Sequence, residues 1–379
     1  MTATDPAGDA APRTRIQPAS PSVATSAAPG GTPRVRVDTL PGLLAVVPYL
    51  LGFHPASSLV IIGVDPPRGR VRVTFRFDLP DPPDPAAADR LAAHAAGVLS
   101  QQRISTVIAV GYGPGTLVTP VMERLRPAIA AAGVTPRDLV RVADDRYWSY
   151  LCADPRCCPP QGTAFDPVAH PAAAELTAAG VPAYRDREAL SRTLAPLAGP
   201  AAAAMREATA RAEARARQQA GGGQPGTAAA ARHWPARRRS VQRAIAAYRG
   251  GGQVTDPGEF AWLGVVLAEL PVRDDAWARM EFAYRDAHRR LWTDLVRRVA
   301  QPYLPAPASL LAFTAWQSGD GVIASIALDL ALAADPGYSM ALLLSEAIES
   351  GLPPSAARLP MTPAEVEESY RPAAGPGPG

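Results

Sequence analysis

Lysine is absent from this chain: all 38 of its Lys and Arg positions are arginine. No P-loop is therefore available, since that motif needs a lysine to reach the phosphates. Arginine, alanine, proline and glycine share GC-rich codons, so the bias points to a GC-rich bacterial genome rather than to a function. A net charge of +3 is too small to argue for nucleic acid by itself. Long apolar runs are also missing. The most apolar stretch, Leu43 to Val64, is broken by Pro48, Gly52, His54 and Pro55, and a membrane span needs about twenty uninterrupted residues. Met1 to Pro33 has no basic start followed by an apolar block, so no secretory signal is read. No membrane association and a cytoplasmic address are expected. Histidine occurs five times, at 54, 94, 170, 233 and 288, and none of the five sits in a recognisable catalytic motif. His54, between Phe53 and Pro55, could serve as a site residue near the sheet, but a polar turn position is the commoner role of such a residue.

What is present suffices for two domains. With 379 residues, 47% of them apolar, the chain can bury sizeable cores. Residues 1–34 are rich in Ala, Pro, Ser, Thr and Gly and are expected to be disordered. From Asp38-Thr39, a helix-capping pair, Leu40 to Leu51 reads as a helix stopped by Gly52 and shortened or kinked by Pro48. Ser58 to Val64 is a continuous apolar run and reads as an interior strand. In Val71 to Phe77 apolar residues alternate with Arg72, Thr74 and Arg76, giving a strand with one wet face. Asp84-Pro85 opens a helix with Leu91, Ala95, Val98 and Leu99 on its apolar side. Strand 106–110, a turn at 111–115, a helix capped by Thr116 and strand 139–143 complete a β-β-α-β-α-β order. The expected fold is an α/β mixed sheet over residues 35–200, with 146–152 adding a further strand.

Residues 201–236 read as a helical connector with little apolar stripe, solvated, ending in the glycine-rich break 221–226. Residues 237–359 are expected to form an all-helical domain, and 360–379 a disordered tail. Within 310–344 a helix, a turn at Gly319-Asp320, a helix carrying Ala324, Leu328, Ala331 and Leu332, and the opening Asp335-Pro336-Gly337-Tyr338 suit a tetratricopeptide-like helix pair. Pro302 lies one such repeat length before Pro336. An ordinary helical bundle accounts for the same residues.

The three cysteines fall within one proline-closed loop, Cys152, Cys157 and Cys158. A structural disulfide framework does not suit an odd number of thiols in a reducing compartment. Cys152, Cys157, Cys158 and His170 offer a tetrahedral set for zinc. Against it, adjacent residues such as Cys157 and Cys158 tend to point apart, and the paired-knuckle pattern is absent. A redox or reactive thiol, which Asp154 and Arg156 could tune, and plain packing remain open beside metal. Gly111, Gly113, Gly115 and Thr116 sit between a strand and a helix, where backbone N–H groups can receive a phosphate. They do not form G-x-G-x-x-G, no acidic residue stands near Ala132 for a ribose, and a tight turn explains them as well. Arg232, Arg237, Arg238, Arg239, Arg243 and Arg249, interleaved with His233, Trp234 and Tyr248, resemble a nucleic-acid surface, but a solvated helix start is the reading adopted.

Several segments together resemble an actinobacterial family, domain of unknown function four-one-nine-two. They are Val47-Pro-Tyr-Leu-Leu-Gly-Phe-His-Pro55 with Ser58-Leu-Val60, Tyr147-Trp148 through Cys152, Cys157-Cys-Pro-Pro160, Gly162-Thr163, Gly319-Asp320-Gly321 and Asp335-Pro336-Gly337-Tyr338. The resemblance implies an actinobacterial cytoplasmic protein and brings no cofactor or catalytic residue with it. The expectation from the residues is a non-catalytic interaction or regulatory protein that meets a protein partner through its helical domain. Its rivals are an enzyme or ligand-binding protein with a site near Gly111 to Thr116 and the thiol loop, and a thiol-based metal or redox sensor. Oligomeric state is not readable from the sequence.

Overall fold

The computed structural model describes residues 35–65, 69–220, 231–356 and 361–371. The tail over 1–34, the glycine-rich break 221–226 and the stretch 372–379 lie outside them. Helix α1, Leu40–Leu51, starts where the Thr39 side chain accepts from the Gly42 N–H and stops at Gly52, whose φ of 79° only glycine adopts cheaply. Pro48 neither shortens nor ends it. The lost hydrogen bond falls on a helix whose Leu44, Val47 and Leu51 are buried, and that packing carries the last turn.

Five strands follow the expected order, β1 Ser58–Asp65, β2 Arg70–Asp78, β3 Thr106–Tyr112, β4 Thr135–Ala143 and β5 Arg146–Ser149, and a sixth, unexpected strand, β6 Thr163–Ala164, completes them. They lie in one sheet as β2-β1-β3-β4-β5-β6. Only β3 and β4 run parallel, joined by helix α3, Gly115–Ala131; every other pair is antiparallel. Helix α2, Pro85–Gln101, begins at Asp84, whose carboxylate accepts from the Ala86 and Ala87 N–H groups.

The period of two along each strand separates two apolar faces. Leu59, Ile61, Val107, Ala109 and Leu139 face α2 and α3, meeting Ala92, Leu99, Val118, Met122 and Leu125. Val60, Ile62, Val110, Val140 and Val142 face the other way, into a cluster that includes Leu44 and Val47 of α1 and runs on without a break through the helices after residue 199. The change from α/β to all-helical structure is plain along the chain, while the apolar core crosses it.

Helices α4 (Pro171–Ala178) and α5 (Arg187–Ser191) lead to α6, Gly199–Ala220. This helix is not a solvated connector. Met205, Ala208 and Ala212 are buried against α8, Pro257–Leu267, and Arg215 stacks on Trp262 with its guanidinium carbon 3.9 Å from the ring centre. Alanines let two helices approach closely, so a buried stripe needs few large apolar residues. Next come α7 (Trp234–Arg249), α9 (Leu270–Ala278), α10 (Arg285–Val296), α11 (Pro305–Gln317), α12 (Gly321–Ala334) and α13 (Ser339–Glu349). Every residue from Pro305 to Trp316 is buried, which makes α11 the central helix of this part.

Two further expectations are corrected. Within the segment assigned to a disordered tail, Pro363–Ser369 forms α14, closed by a capping box of Thr362 and Glu365, and Val366 is buried. The Tyr370 hydroxyl donates to Asp274 at 2.6 Å and fixes this end on α9. The arginine-rich start of α7 is not a solvated face either. Arg237 and Arg238 are buried, Arg237 paired with Glu269 and Arg238 donating to the Pro271 carbonyl at 3.2 Å. Arg232, Arg239 and Arg243 remain exposed. No helix among the described residues is long and apolar enough to cross a membrane.

Candidate functional site: a three-thiol loop at the sheet edge

Strand β5 hands the chain to the cysteine loop, and β6 takes it back. The loop is pinned at several points. The Asp154 carbonyl accepts from the N–H groups of both Cys157 (3.0 Å) and Cys158 (2.7 Å), Gly162 N–H donates to Pro159 at 2.8 Å, and the Trp148 indole N–H donates to the Pro160 carbonyl at 2.9 Å. Arg146 adds a bond to the Gly162 carbonyl at 2.9 Å. The double acceptance at Asp154 curls the backbone into a single tight turn. That curl brings two adjacent side chains to the same side, contrary to the tendency expected of neighbours.

As a result the sulfur atoms of Cys152, Cys157 and Cys158 all lie within 4.8 Å of one another. All three are free thiols; Cys157 is exposed and the other two are half-buried. They are reachable from solvent, and inert core packing does not describe them. Hydrogen bonding from Cys158, helped by a backbone bond in the Asp154 turn, holds the Cys152 thiol below its ordinary value. Burial, reinforced by the bond to Cys152 and the charges of its two neighbours, pushes Cys158 up to about 12. Between these two, the loop favours the charged form of Cys152 and keeps the proton on Cys158, which donates to it.

His170 does not join the sulfurs. Its Nδ1 accepts from the Ala172 N–H at 3.2 Å as the cap of α4, and its ring lies against Gly42, where a Cβ would come within 2.9 Å of Cε1. The histidine fastens α4 onto α1. Among the described residues the three cysteines alone make the converging group, with no histidine or carboxylate in it.

Gly162 sets the loop's closure. It has a φ of 80°, and a Cβ there would fall 2.5 Å from Trp148 Cε2. Alanine at this position is expected to cost about 1–3 kcal/mol, because a rigid indole must move and the backbone favours glycine. Urea unfolding followed by tryptophan fluorescence reads the loss. The same variant should reduce the formation of a Cys152–Cys158 disulfide by a mild oxidant; unchanged stability together with unchanged cross-linking would show that the indole does not hold the loop.

The Gly111 to Thr116 segment is placed at the carboxyl ends of the parallel pair β3 and β4. Gly111 lies under α3, where a Cβ would collide with Val118 Cγ1, and Gly113 has a φ of 144° and donates to the Val142 carbonyl at 2.9 Å. Thr116 is not the cap. The strand runs on to Tyr112, Pro114 takes the N-cap position without a side-chain bond, and Thr116 lies inside the first turn. Arg141 escaped the sequence reading because it interrupts an apolar strand. Its guanidinium carbon is 3.5 Å from the Trp148 ring centre and 3.8 Å from where a Cβ on Gly115 would stand. It makes no hydrogen bond or ion pair among the described residues. Tyr150 and Thr119 share a hydroxyl bond of 2.8 Å alongside. Trp148 thus has Arg141 on its face and the thiol loop bonded to its edge.

The family described as Domain of unknown function (DUF4192) matches residues 41–355, and the chain belongs to it. No curated protein and no solved structure matches the chain.

Proposed function

A family described only by an unknown function leaves the chemistry to the residues, and from them we propose that this chain is a non-catalytic regulatory protein. The thiol triad at the sheet edge is its sensor surface, and the helical part, with tetratricopeptide-like pairing of α11, α12 and α13, presents a face to a protein partner. The observation that carries this reading is the convergence of three solvent-reachable sulfurs on one pinned loop. It is supported by exposed apolar residues on the last stacked helix: Leu343 is 63% exposed and Leu342 47%. The protein is expected in the cytoplasm, where free thiols persist.

The test compares full-length tagged chains after cross-linking in cells. Leu343→Asp should abolish the captured protein association, and serine at all three cysteine positions should remove its response to thiol oxidants, with circular dichroism unchanged in both. Capture indifferent to both changes overturns the reading. A ligand-binding or enzymatic site is favoured by one observation, the Arg141 guanidinium, paired with no acid among the described residues, beside the start of α3, which has no side-chain cap. A thermal shift with inorganic phosphate or nucleotides, lost in Arg141→Ala, would move the assignment there.

A further inference from the structure

We infer that the triad is a binding site for a thiophilic d10 cation, zinc(II) or copper(I), held by the thiolates of Cys152, Cys157 and Cys158 alone, which for zinc leaves the fourth coordination position open to solvent. This rests on the reading of the triad as the chain's sensor surface and names what that surface senses.

Three features carry it. The donor set is sulfur only, which selects soft cations over calcium, magnesium or manganese. The spacing is close to what a metal needs: zinc–sulfur bonds of about 2.3 Å in a tetrahedron place the sulfurs roughly 3.8 Å apart, and the three here are already within 4.8 Å. The loop is also held before any metal arrives. The Asp154 carbonyl holds the Cys157 and Cys158 backbone, and the Trp148 indole and the Arg146 guanidinium hold Pro160 and Gly162, so none of these bonds uses a sulfur. Supports of this kind orient first ligands.

The fourth position is what distinguishes the site from a structural zinc knuckle. No histidine or carboxylate joins the sulfurs among the described residues, and Cys157 is exposed. A four-ligand structural site closes around its ion, whereas three protein ligands leave a vertex for exchange. A three-sulfur site also suits copper(I), which is satisfied by thiolates alone. Binding is written as loss of one proton from each thiol that is not already a thiolate, with formation of one metal–sulfur bond per cysteine and no change in oxidation state.

The experiment uses the reduced full-length chain freed of metal by a chelator. Cobalt(II) serves as the spectroscopic stand-in for zinc, and copper(I) is offered in competition with bicinchoninate. One equivalent should bind, with thiolate-to-metal charge-transfer bands, and the tighter arm identifies the cation. Cys157→Ser should weaken binding by more than about 100-fold, beyond the 10–100-fold that loss of an outer-shell partner costs. His170→Ala should leave it unchanged; an equal loss there would place a fourth protein ligand and overturn the open vertex. No uptake of either metal, or uptake that survives serine at all three positions, overturns the site. If uptake fails while cellular associations still respond to thiol oxidants through the triad, the metal assignment falls and the regulatory reading stands.

Discussion

Arg237→Ala is expected to lower the unfolding free energy by about 3–5 kcal/mol, the cost of leaving one partner of a buried ion pair alone. The Arg237 side chain is 4% exposed and its partner Glu269 24%. The guanidinium also donates to Gln219 at 3.1 Å and reaches the Ala216 carbonyl at 3.4 Å, so it ties α6, α7 and the start of α9 together. Burial, with Arg215 nearby, lowers the pKa of Arg237, a sign that its charge is held against a desolvation cost. Removing it strands Glu269, whose second oxygen already lacks a partner among the described residues. The double variant Arg237→Met with Glu269→Leu should recover most of the loss, because an apolar pair of similar volume removes the uncompensated charge. Urea denaturation of the three proteins measures both numbers. A loss below about 1 kcal/mol in the single variant would show that the pair is effectively solvated.

Acid should destabilise the protein through His288, which is 2% exposed on α10. Burial, and then the charge of Arg249, lower its pKa from 6.5 to about 4, against a weaker upward pull from Glu281. Its Nδ1 has no hydrogen-bond partner among the described residues, and its ring stacks on Trp292 with centroids 6.3 Å apart. The unfolded chain binds a proton on this histidine near pH 6.5 and the folded chain only near 4. Stability contributed by the neutral ring is therefore full above about 6.5 and declines as pH falls to about 4, then levels off. At 1.36 kcal/mol per unit, the loss is about 3 kcal/mol. Carboxylates titrate in the lower part of the same window, so the measurement is the difference between the native chain and His288→Leu in urea midpoints at pH 7 and near pH 4.5. The substituted chain should lose the greater part of the slope. Equal slopes would mean that the folded histidine takes up its proton as readily as the unfolded one.

Local signals in the sequence placed the sheet well. Thr39 and Asp84 cap the helices expected of them, and the apolar run from Ser58 and the alternation from Val71 give the paired strands β1 and β2. What escaped depends on partners distant along the chain. Arg237 reads as one of a run of solvated cations until Glu269, 32 positions away, is brought against it. Helix α6 looks stripeless because alanines do the packing, and Tyr370 reads as tail until Asp274 is brought up to accept its hydrogen bond. At the candidate site, the cysteines were legible as a cluster, but their convergence depends on one carbonyl, that of Asp154, accepting two N–H groups. His170 stood at a plausible spacing for a ligand and serves as a cap, a role that histidine's ring nitrogen fills without any sequence mark. Arg141 was hidden by its apolar neighbours.

The unbroken core has a consequence for how the protein is made. Its members begin at Leu44 in the first helix and include Met340, Ala341 and Leu344 near the other end. A ribosome delivering the chain from its amino terminus releases the early strands long before their last apolar neighbours exist, and translation at about 5–20 residues per second stretches that interval to many seconds. Throughout it the sheet face carrying Val60, Ile62 and Val110 lacks part of its apolar cover. The cluster between α2, α3 and the sheet, complete by Leu139, can close early, whereas this larger core can close fully only after Leu344 has emerged.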